Sequence, residues 1–123
     1  MKKLFVSVPM KGRTKEEIKA SIDKMKKVAE IYEGEELELI DSYIEDNPPK
    51  NTNQAIFFVG ESIKKMAYAD VFIGITGPYE WNGCGIENDV AIAYGIKAYR
   101  IEASDIIKNY DELVRQKNKI VSR

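Results

Sequence analysis

The sequence predicts an α/β protein of three layers, αβα, with helices on both faces of a small parallel sheet. Short apolar runs bounded by Gly and Pro alternate with segments whose apolar residues recur at helical spacing, the pattern of β-α-β units and not of a sandwich or a bundle. The runs are mostly apolar throughout, as strands covered on both faces are. The 123 residues fit one domain, residues 1–123, since domains of roughly 100–150 residues are the commonest size.

Leu4 to Val8 is the first strand. A helix follows from Thr14, where Thr-Lys-Glu-Glu forms a capping box with Glu17, and Ile18, Ile22, Met25, Ala29 and Tyr32 step by four and three along one face until Gly34 ends it. Leu37 to Ile40 is the second strand. The segment from Asp41 to Asn53 is too polar and too proline-broken for either element; Pro48 and Pro49 stop a helix from starting early, and loops of this length are usually kept for function. A second helix runs from Thr52 or Asn53 to Tyr68 with Ile56, Val59, Ile63 and Met66 on one face. Gly60 in its middle costs about 1 kcal/mol relative to Ala, which is expected where close packing demands it. Val71 to Ile75 is the third strand, Glu87 to Tyr94 the third helix with Val90, Ala91 and Tyr94 inward, and Gly95 closes it before the fourth strand, Ala98 to Ile101. Asp111 to about Val121 is a terminal helix on the spacing of Leu113, Lys117 and Ile120. Right-handed crossovers arrange four such strands in the order 2-1-3-4, a flavodoxin- or Rossmann-like sheet whose ligand crevice lies at the carboxyl ends of strands one and three.

Composition excludes several classes of function. Nineteen basic and 20 acidic residues nearly balance, and without a basic cluster interleaved with aromatics the footprint of a nucleic-acid polymer binder is missing. Met1 to Pro9 carries too few apolar residues for a secretory segment or a membrane span. A single cysteine, Cys84, allows no internal disulfide and no thiol metal site, which suits a reducing cytoplasm. Histidine is absent, so Ser-His and Cys-His nucleophile pairs and histidine metal sites are excluded, and chemistry must rest on carboxylates, hydroxyls, Lys or Arg. No cofactor is implied.

Residues 69 to 95 are the most informative stretch. An apolar strand passes through a loop holding Gly77, Tyr79, Trp81, Gly83 and Gly85 into a helix whose first turn carries Glu87. Free N–H groups and the positive helix end favour an ionised carboxylate there. Asp70, at the start of the strand, supplies a second carboxylate. Across the crevice, Ser7, Pro9, Met10, Lys11, Gly12 and Arg13 precede the cap at Thr14, where two cations and a helix N-terminus make a phosphate site. Ser7 is placed to bond a sugar hydroxyl or its neighbouring backbone. Cys84 is read as a small packing residue.

These residues resemble the nucleoside 2-deoxyribosyltransferase-like family, which includes 2′-deoxynucleoside 5′-phosphate N-hydrolases and small phage-associated relatives. The resemblance spans about residues 4 to 101. Ala69-Asp-Val-Phe-Ile-Gly, a Gly-containing loop, and Glu87 with Ala91, Ala93 and Gly95 match the spacing of the family's Glu-x-Gly-Tyr-Ala-x-x-x-Gly segment, and Phe5-Val-Ser-Val-Pro-Met-Lys-Gly-Arg looks like its first strand and sugar- and phosphate-side loop. The resemblance implies that Glu87 attacks C1′ of a (deoxy)nucleoside or nucleoside 5′-monophosphate, that Asp70 lies on the nucleobase or general-acid side, and that the protein is a homo-oligomer acting on a small molecule without a metal. Cleavage of such a bond passes through an oxocarbenium-like transition state and needs one ionised carboxylate and one acid; the expected division is an ionised Glu87 and an Asp70 whose pKa burial raises. The chain departs from the family at Asn88-Asp89, where an apolar residue and Gly are common, and at Trp81, where the transferases carry an acid. Glu80 stands next to that position, and Tyr79 and Trp81 could stack on a base, an interaction that contributes about 1–3 kcal/mol elsewhere. A nucleotide-binding module of the same fold without turnover is the alternative that Asn88-Asp89 motivates. A flavodoxin-like electron carrier lacks its Ser/Thr-rich phosphate cradle here, and a receiver domain its acidic pair after the first strand.

Overall fold

The computed structural model describes residues 1–10, 12–42, 44, 47–77, 82–107 and 115. Along them run β1 (Lys3–Val6), α1 (Lys15–Glu33), β2 (Glu38–Leu39), α2 (Gln54–Met66), β3 (Val71–Thr76), α3 (Asn82–Ala93), β4 (Lys97–Glu102) and α4 (Ala103–Ile106). The strands form one sheet in the order β2-β1-β3-β4, and each adjacent pair is parallel. Helices cover both faces, so the three-layer α/β arrangement and the strand order expected from the sequence are those observed.

The pleat sends alternate side chains to opposite faces. Leu4, Val6, Val71, Ile73 and Ile75 pack with Ile18, Ile22, Met25 and Ala29 of α1. On the other face Phe5 and Phe72 join Met66 and Ile63 of α2 and Ala91 of α3, the two rings stacked with centroids 6.0 Å apart. The crevice end of the sheet is therefore fixed by two independent apolar layers.

Local signals set the helix ends. The Thr14 hydroxyl accepts from the Glu17 N–H while the Glu17 carboxylate accepts from the Thr14 N–H, the capping box expected there. Gly34 closes α1 in the left-handed region at φ 74°, where a Cβ would be strained. The Asn53 side chain accepts from the Ile56 N–H to start α2.

Other expectations are corrected. α3 begins at Asn82, five residues before Glu87. The run Asn-Gly-Cys-Gly, read as loop because glycine disfavours helix, is held helical by tertiary contact, with Cys84 buried and Gly83 against Val59 of α2. Tyr94 is 82% exposed and not inward, and Ile56 is 70% exposed despite its place in the apolar pattern. Among the described residues beyond its own helical turn, no atom lies within 4 Å of the position a Cβ would take on Gly60, so the close packing expected there is not seen. α4 was not anticipated, and the helix expected over 111–121 lies outside the described residues apart from Arg115. No helix among the described residues is long and apolar enough to cross a membrane.

The amino end of the sheet is tied by one carboxylate. Glu33, at the last turn of α1, accepts from the Tyr99 hydroxyl at 2.7 Å and Lys2 Nζ at 3.3 Å and pairs with Lys97 Nζ at 2.9 Å, and its side chain is 2% exposed. The hydrogen bonds from Lys97 and then Tyr99 hold its carboxyl down at about 2, against the opposing effect of burial. Tyr32 stacks on Tyr99 beside it, centroids 5.2 Å apart.

A carboxyl depressed in the folded state contributes stability above its unfolded pKa and loses it as the pH falls through the folded value. Glu33→Gln is therefore expected to lower stability at pH 7, and the gap from the parent protein to close as pH falls from about 4.5 toward about 2, as read from urea unfolding at a series of pH values.

Candidate functional site

Ser7 continues the line of β1, its N–H bonded to the Ile73 carbonyl at 2.9 Å. That places it level with Gly74 on β3, whose register partner on β4 is Arg100. Alternation from Phe5 turns Ser7 toward the α2 and α3 face. The inward stripe of α3 is Cys84, Glu87, Asn88 and Ala91, an i, i+3, i+4, i+7 series that is half polar.

At the center of this arrangement the Ser7 hydroxyl donates to Glu87 Oε1 at 3.0 Å, with Ser7 1% and Glu87 8% exposed. Burial pushes the Glu87 carboxyl up to about 7, against the lowering effect of the Ser7 bond. Glu87 Oε2 accepts no hydrogen bond among the described residues. The fully buried side-chain atom without a partner among them is Arg13 Nε, so Oε2 is the oxygen of Glu87 open to an approaching group.

The floor beneath α3 is shaped by Gly74. A Cβ there would stand 2.9 and 3.2 Å from ring carbons of Phe72 and 3.9 Å from Asn88 Oδ1, so the Phe72 ring and the Asn88 amide together occupy the space. Asn88, 3% exposed, accepts from Arg100 Nε at 3.0 Å. Neither Asn88 nor Arg100 was picked out as a site residue, although the polar half of the Cys84–Ala91 stripe was readable as a buried polar pair.

The other expected site residues divide. Asp70 is not brought to Glu87. It is exposed at the amino end of β3, where its Oδ2 accepts from the Lys3 N–H at 2.9 Å. Four residues of extended chain, about 13 Å, separate it from the level of Ser7 and Gly74. The start of a parallel strand lies at the end of the sheet opposite the crevice, which forms at the carboxyl ends. The expected charge division falls with it: Glu87 is in the second turn of α3, away from the free N–H groups, and burial makes it the carboxyl with the raised pKa.

Arg13, expected on the phosphate side, is engaged by groups of the fold itself. Its Nη1 donates to the Pro9 carbonyl at 2.9 Å and its Nη2 to Ser21 Oγ at 2.6 Å, and burial lowers its pKa against the raising effects of Glu17 and Cys84. It braces the loop after Ser7 on α1. Pro9 is buried, Met10 and Gly12 are exposed, Gly77 and Gly85 are half-buried, and Gly83 packs toward α2. Lys11, Tyr79 and Trp81 lie outside the described residues. An open cleft of about 220 Å³, lined by Lys3, Leu39, Ile40, Lys65 and Tyr68 among others, sits at the β2 edge and includes none of the expected site residues.

The pair can act in two ways. Ionised, Glu87 offers Oε2 as a nucleophile or a cation stabiliser; protonated, it offers a proton, and a midpoint near neutrality makes both forms accessible. Comparisons of the chain with models of protein families, with curated proteins and with solved structures each found no match.

Two substitutions probe this geometry. Ser7→Ala removes the hydrogen bond that favours the charged form, so the Glu87 midpoint is expected to rise above about 7 in a carboxyl carbon-13 NMR titration. Gly74→Ala forces the buried Phe72 ring aside and is expected to cost about 1–3 kcal/mol, measured by chemical denaturation.

Proposed function

We propose that the protein cleaves or transfers the N-glycosidic bond of a (deoxy)nucleoside or nucleoside 5′-monophosphate, with Glu87 as the nucleophile. The observation that carries this reading is a buried carboxylate at the switch point of the sheet, one oxygen tied to Ser7 and the other open. Resemblance of residues 69–95 and 5–13 to the nucleoside 2-deoxyribosyltransferase-like family supports the same reading, since the reaction calls first for a carboxylate able to stand beside the anomeric carbon.

In the proposed sequence Glu87 Oε2 forms a bond to C1′ as the C1′–N bond breaks and its electron pair leaves with the base, which takes a proton from water. Water then attacks C1′, loses a proton and releases the Glu87 carboxylate; with a second base in place of water the outcome is transfer. Ser7 holds Oε1, so that the open oxygen keeps a fixed orientation. Asp70 has no part in either step.

A binding domain without turnover is the second reading. It is favoured by the location of Asp70, which leaves Glu87 without the acid expected to protonate the departing base.

The deciding measurement is release of free base, followed by chromatography, from a panel of ribo- and deoxynucleosides and their 5′-monophosphates. Release should increase as pH rises through about 7, where Glu87 ionises, and vanish in Glu87→Gln. No release from any member, with a nucleotide still bound in calorimetry, establishes the binding reading instead. The same variant has a stability signature: a carboxyl raised in the folded state holds its proton from about pH 4.5 to about 7, so the parent loses stability as pH rises across that window. Glu87→Gln is expected to be the more stable protein at pH 8, by up to about 3 kcal/mol.

A further inference from the structure

We infer that Asn88 and Arg100 are the positioning residues of this site: their hydrogen bond fixes the rotation of α3 on the sheet and thereby holds Glu87 against Ser7. The apolar contacts of α3, Ala91 and Val90 on Phe5, Phe72 and Met66 and Gly83 toward Val59 of α2, seat the helix through small side chains. Its buried stripe is Cys84, Glu87, Asn88 and Ala91, so no large apolar side chain on that stripe interlocks with the strands as α1 does through Ile18, Ile22 and Met25. Glu87 and Asn88 are consecutive, about 100° apart around the axis, and diverge to either side of the line along which the helix meets the sheet.

Their partners match that divergence. Ser7 on β1 and Arg100 on β4 flank Gly74 on β3, and with strands about 4.8 Å apart the two anchors stand about 10 Å apart. The Asn88 Oδ1 lies over Gly74, 3.9 Å from where a Cβ would be, and takes the Arg100 Nε–H at 3.0 Å. A helix held at two points on either side of its line of contact cannot turn without breaking one of them. A rotation of about 20° carries an atom about 5–6 Å from the axis through roughly 2 Å, enough to part Glu87 from Ser7. Arg100 suits the role because its Nε–H is directional and charge-assisted. Lysine has no equivalent donor on its stem.

The test is carbon-13 NMR titration of the Glu87 carboxyl in Asn88→Ala, Arg100→Met and the double variant. Each single change is expected to let α3 turn and admit water; regained solvation, the larger effect on this carboxyl, outweighs the lost Ser7 bond, so the Glu87 midpoint falls from about 7 by at least one pH unit, tenfold in proton affinity. The double variant should move it no further, because both changes break the same bond. Arg100 is largely exposed, so Arg100→Met keeps the question answerable if the Asn88 change prevents folding. A Glu87 midpoint unchanged in folded Arg100→Met, or shifts that add in the double variant, overturns the assignment. For turnover, which rests on the proposed reaction, kcat should fall more than KM changes. The titration needs no turnover, so a protein that releases no base yet shows the shift keeps the positioning role while losing the proposed reaction.

Discussion

The hydrogen bond between Ser7 and Glu87 is the constraint on which the carboxyl end of this sheet depends. A carboxyl group removed from water loses solvation that one hydroxyl replaces only in part, and the balance appears as the upward displacement of its pKa. The surroundings are organised to keep that contact in spite of the cost. Arg13 ties the Pro9 carbonyl to α1 and so steadies the chain just after Ser7. Gly74 leaves room for the Phe72 ring and for α3 to settle above β3.

The two ends of the sheet treat acidic side chains in opposite ways. At the amino end Glu33 is surrounded by two ammonium groups and a phenol, and Asp70 caps the backbone of Lys3. These carboxylates are satisfied and bind the elements together. At the carboxyl end Glu87 has one neutral donor. A group left under-satisfied is a liability for folding and an asset for chemistry, since its remaining affinity is available to a ligand.

Much of the architecture was legible in the sequence because it rests on local rules. Thr14, Glu17 and Gly34 mark α1 by hydrogen-bonding chemistry that operates within a few residues, and the apolar runs fix strand order once crossover handedness is applied. That Ser7 and Glu87 lie on facing segments was legible because both follow strands at the crevice end. What was not legible depends on contacts distant in sequence. The helical state of Asn82 to Gly85 is imposed by packing on α2, against the preference of its glycines. The burial that moves the Glu87 pKa comes from the whole face and not from its neighbours in the chain. The role that the resemblance implies for Asp70 is not met in space, because β3 is a rod that carries its two ends apart.

The composition of α3 has a consequence for how the molecule breathes. The inward stripe of α3 is polar at Glu87 and Asn88, yet Ala91 on that stripe and the neighbouring Val90 close over Phe5, Phe72 and Met66, so lifting this helix uncovers an aromatic layer together with the reactive carboxyl. Exposure of the reactive group is thus coupled to the same apolar layer that seats the helix on the sheet.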